Sequence, residues 1–113
     1  MIIESGMFEW FNGRTSRESQ SDIEIYRSDD KHLVIATERS DNPGPSVTNG
    51  AEYLWPSILK QFRLDPGKTV LIEHYKYPDR ESWDVVTFSS LGSVTWSGIR
   101  KDKMHIIMKE FTS

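Results

Sequence analysis

The chain has 113 residues, 36% of them hydrophobic and 27% charged, with a formal net charge of −3. That length suits one domain with its own core and is too short for two. No cysteine is present, which excludes disulfides, thiolate catalysis and zinc–thiolate sites and fits a reducing, cytoplasmic setting. The basic residues are scattered under a negative net charge, which argues against sequence-independent nucleic-acid binding.

In chain order, the opening "MIIESGMFEWF" carries acid at Glu4 and Glu9 and no basic region, so it does not read as a signal peptide. No apolar run nears the roughly 20 residues that span a bilayer, so no membrane segment is expected. Within the opening, residues 7–11 read as a strand packing Phe8 and Trp10 to one side and Phe11 to the other. The same aromatics, with Arg14 and Arg17, would suit base stacking, but core packing is the simpler reading. Residues 12–21 are polar throughout and predict an exposed, mobile loop.

"DIEIYR" (22–27) alternates, and "HLVIATE" (32–38) is a continuous apolar run, as in a strand buried on both faces. The intervening "SDDK" suits a tight turn, so 22–38 predicts a β-hairpin. Over 47–63, Val47, Ala51, Leu54, Trp55, Ile58, Leu59 and Phe62 fall on one helical face. Pro56 lies off that stripe and predicts a continuous helix over 47–63 with a kink near 52–56, two short helices meeting at Trp55–Pro56 being the alternative. Strands follow at 69–75, 83–88, 93–99 and 104–111, the last two as a hairpin. The fold class is thus α+β: one mixed β-sheet of about six or seven strands, in β-β-β-α-β-β-β-β order, packed against a single main helix. Its expected core includes Ala51, Leu54, Ile58 and Phe62, with Val34, Ile35, Leu71 and Val86.

If strands 32–38 and 69–75 run parallel, the helix between them makes a βαβ unit. The loop 39–49 then shares a crevice with Glu73, His74 and Tyr75, where parallel strands commonly hold ligands. Much of that loop is turn and capping chemistry: Pro43, Gly44 and Pro45 shape the approach, and Ser46, Thr48 or Asn49 caps the helix. It also offers a place for a small anion, with Arg39 at its start, free helix amides, and Asp41 and Asn42 as polar contacts. Neither GxxxxGK[ST] nor GxGxxG is present, so no cofactor is expected.

Glu73 is the better candidate for acid–base work and His74 the weaker, because strand alternation points His74 away from Glu73 and Tyr75. Arg39 and Glu73 would equally make a structural ion pair. No metal site is expected: His32, His74 and His105 lack ligand spacing, and Asp29, Asp30 and His32 sit on a hairpin tip. GxSxG is missing too, which leaves serine hydrolase chemistry without support. Two readings follow. One is a non-catalytic binding module for a protein partner, a homodimer mate or a small anionic ligand. The other is a small enzyme with Glu73 as general base and Arg39 holding an anionic substrate.

Overall fold

The computed structural model describes residues 1–13, 16–39, 50–88 and 94–112. Strand β1 (Ile2–Asn12) pairs antiparallel with β2 (Arg17–Ser28), which pairs antiparallel with β3 (Lys31–Glu38). A π-helical turn (Gly50–Leu54) runs into helix α1 (Trp55–Gln61), and a 3-10 turn (Pro66–Lys68) leads to β4 (Thr69–Lys76). Then come β5 (Glu81–Phe88), β6 (Val94–Ile99) and helix α2 (Lys101–Thr112). The six strands form one mixed sheet in chain order, antiparallel except where β3 pairs parallel with β4. The expected α+β fold, with one sheet and a main helix, is what the chain adopts.

Both faces of the sheet are covered, because β3 and β4 are apolar on both sides. Val34, Ala36 and Leu71 join Trp55, Ile58, Phe8, Trp10, Ile23 and Ile25 on the α1 side. Leu33, Ile35 and Ile72 join Met104 and Phe111 on the α2 side. Leu54, Ile58, Val34, Ile35, Leu71 and Val86 are buried as expected, whereas Phe62 is only half-buried, tilted against Phe8 with ring centroids 6.2 Å apart. The Ala51 side chain and Val47 lie outside the described residues. Ile58, with no exposed surface, should therefore be the costlier truncation. Ile58→Ala is expected to lose about 2–5 kcal/mol in urea unfolding, and Phe62→Ala less than Ile58→Ala. The reverse order would mean that α1 is rotated about its axis.

Pro56 is exposed in the first turn of α1, where its missing N–H does least harm. The discontinuity expected at 52–56 is the change from wide π-helical to α-helical winding, with Leu54 in helical conformation across it.

Two expectations are corrected. Residues 104–111 form a helix, so the hairpin predicted over 93–111 does not exist. Met104, Ile107, Met108 and Phe111 stand at i, i+3, i+4 and i+7, and it is this face that covers the sheet while Ile106 points out. The expected loop at 12–21 is mostly strand: Asn12 pairs with Arg17, and β2 has begun. The polar run folds as strand because the ladder to β1 satisfies its backbone. Small Ser21 is buried beneath Trp10, whose indole N–H donates to the Ser21 hydroxyl at 3.2 Å.

Candidate functional site

The strand registers align side chains into rows across the sheet. On the α1 face one row runs Ser21, Glu38, Tyr75 and Ser82, and the next runs Ile23, Ala36, Glu73, Asp84 and Gly98. Both lie toward the ends of β3 and β4. Farther from those ends, Ile25, Val34, Leu71, Val86 and Trp96 make an apolar row. The α1 face is thus greasy at one end and acidic at the other.

Glu73 is the centre of the acidic end and is 5% exposed. Its Oε1 accepts from the Trp55 indole N–H at 2.7 Å, and its Oε2 accepts from the Tyr75 hydroxyl. Burial pushes the Glu73 carboxyl up to about 7; the bonds from Tyr75 and Trp55 oppose this, and the charges of Asp84 and Glu38 add to it. Burial also raises Glu38 and Asp84. The Tyr75 hydroxyl is pushed far up by burial and then by Glu73. Trp10, Ser21, Ala36, Glu38, Leu54, Glu73 and Tyr75 enclose a cavity of about 20 Å³, room for one water. Glu38 Oε2 is buried and has no hydrogen-bond partner among the described residues.

Glu38 also belongs to an open cleft of about 590 Å³, lined by Asp22, Thr37, Glu38, Arg39, Lys76, Tyr77 and Pro78. This cleft lies where the two parallel strands end, the location expected for a crevice. Its contents differ from expectation. Arg39 pairs with Asp22, at 3.4 Å from Nε, and not with Glu73, whose oxygens are taken by Trp55 and Tyr75. Strand alternation is the reason: Asp22 is the exposed residue of β2 beside Arg39, while Glu73 points under α1. Tyr75 is 6% exposed and lines the inner cavity instead of the cleft. Asp41, Asn42, Ser46, Thr48 and Asn49 lie outside the described residues.

His74 is on the α2 face, in a row with Thr37 and Trp83. Its ring stacks on Trp83 at 5.0 Å and 3°. Nδ1 meets the Thr37 hydroxyl at 3.1 Å, and Nε2 meets Glu81 at 2.8 Å. With the proton on Nε2, the neutral ring is satisfied at both nitrogens. The bond from His74 holds the exposed Glu81 carboxyl below its usual range. Among the described residues no group of three or more His, Asp or Glu converges as metal ligands, and no helix is long and apolar enough to cross a membrane.

Sequence reasoning missed Glu38, Asp84, Trp55, Lys76 and Tyr77 as members of this region. Glu38 was findable, since it stands two residues beyond Ala36 on the same face of β3. Asp84 was not, because its place beside Glu73 depends on the β4–β5 register. No protein-family model, curated protein or solved structure matches the chain.

Proposed function

We propose that the protein is a non-catalytic binding module that takes a small anionic ligand in the cleft at the ends of β3 and β4. The observation that carries this is the pairing of Arg39 and Lys76 in one open cleft with the Tyr77 hydroxyl as a further donor, the Thr37 hydroxyl being committed to His74 Nδ1. Arg39 is only loosely committed, because its partner Asp22 is 55% exposed and such pairs contribute little. Asp22 and Glu38 are the opposing charges in the cleft, and burial keeps Glu38 more readily protonated than a free carboxylate. The absence of cysteine agrees with a cytoplasmic location.

The competing reading makes Glu73 a general base. A base must come within hydrogen-bond reach of the proton it takes. Glu73 already accepts two bonds and faces a space of about 20 Å³, too small for a substrate. That geometry favours binding over catalysis.

The test is an NMR titration of the whole chain with sulfate at low ionic strength. Amide shifts should concentrate at Thr37, Glu38, Arg39, Lys76 and Tyr77, and Lys76→Ala should weaken the midpoint about threefold or more. Sulfate keeps its charge across the range, so lowering the pH from neutral should tighten binding as Glu38 takes up a proton. Shifts scattered over the surface lysines, or none, would overturn the proposal.

A further inference from the structure

Six large apolar residues are exposed among the described residues, and five of them lie in the first eleven: Met1, Ile2, Ile3, Met7 and Phe11. All five belong to β1 or adjoin it. β1 is an edge of the sheet and is 11 residues long. Natural edges are usually blunted by lysine, proline or short length. β1 has none of these; its irregularities are a register shift between Ile2 and Glu4 and the positive φ of Gly6. A long, apolar edge with unpaired backbone groups is built to accept another strand.

We infer that β1 pairs antiparallel with β1 of a second copy, about a twofold axis through Met7, joining two six-stranded sheets into one. Directly opposed residues in an antiparallel pair share a face, so the axis must pass through a residue and not between two. Placed at Met7, it sets Met7 against Met7, Ile3 against Phe11 and Ser5 against Glu9. On the other face, small Gly6 stands against Phe8, and Glu4 against Trp10. Apolar residues meet apolar residues across the exposed face, and no two acids are opposed. Moving the axis to Gly6 sets Glu9 against Ile3, and moving it to Phe8 sets Glu9 against Met7. Between Gly6 and Met7, Glu4 would oppose Glu9. Of these, only the Met7 axis is complementary in both charge and hydropathy.

Gly6 has φ +152°, a backbone conformation that by itself favours glycine, and a Cβ there would meet nothing within 4 Å of its own chain. Beside the partner's Phe8 of β1, a small residue leaves the aromatic ring its room.

The test uses the whole chain. Sedimentation should give a species of twice the 13.1 kDa chain mass that dissociates on dilution. Met7→Lys should give monomer with an unchanged circular dichroism spectrum, since Met7 is 46% exposed. The chain has no cysteine of its own, so single cysteines report the register. Met7→Cys should cross-link under mild oxidation, its Cα atoms about 4.5–5.5 Å apart on the axis. Ser5→Cys should not, because the two copies of position 5 stand roughly 14 Å apart. A monomer at every concentration, open-ended assembly, or cross-linking of Ser5→Cys in preference to Met7→Cys would overturn the inference.

Discussion

Trp55→Ala should lower the unfolding free energy by about 3–5 kcal/mol, because the indole has no exposed surface and sits at the centre of the α1-side core. A loss below about 1 kcal/mol in urea unfolding would show that α1 does not anchor the sheet. Trp55→Phe separates packing from hydrogen bonding. It keeps most of the apolar bulk and removes the donor to Glu73. Leaving a buried carboxylate short of a donor costs about 1–3 kcal/mol. That cost should be larger at pH 8, where Glu73 is ionised, than at pH 5, where it holds its proton. Equal costs at both pH values would mean that the indole N–H does not stabilise the charged form.

The second large effect is a decline of stability with rising pH, and its source is Glu73. In the unfolded chain this carboxyl titrates near 4.5, and in the fold near 7. Between those values the folded state holds a proton that the unfolded state has lost. Stability is therefore fully present below about pH 4.5 and falls until the pH passes 7. The loss from this one group is on the order of 3 kcal/mol. Glu38 and Asp84, both raised by burial, act in the same direction. Glu73→Gln keeps the shape and the acceptor for Trp55 and carries no proton to lose. Its stability should fall much less than the parent's over this range, the remainder coming from Glu38 and Asp84, and should lie above that of the parent chain at pH 8. A parent profile that does not fall between pH 5 and 8 would mean that Glu73 is ionised throughout, with its two donors outweighing burial.

Period-two and period-3.6 patterns were sufficient for much of the architecture. "HLVIATE" reads as a strand covered on both faces, and the stripe from Leu54 to Phe62 as one face of a helix. The parallel pairing of β3 with β4 was open from the sequence, as one arrangement of two buried strands joined by that helix, and the fold adopts it. The last segment failed for a physical reason. "MHIIMKEF" is rich in strand-forming side chains, but its helical spacing at 104, 107, 108 and 111 has a sheet face to cover, and burial overrides local preference. The loop at 12–21 failed because a polar strand gives no apolar alternation; its ladder to β1 is visible only once the two are side by side.

The candidate site divides in the same way. Alternation along β4 already separated His74 from Glu73 and Tyr75. Partnership was a different matter. Arg39 finds Asp22 and Glu73 gains Asp84 as a neighbour through strand registers, and Glu73 finds Trp55 where α1 packs on the sheet. A chain's own period determines which way a side chain points, because backbone geometry is local. Which charge it meets, and hence whether it ionises, is decided only when non-local strands close against one another and exclude water.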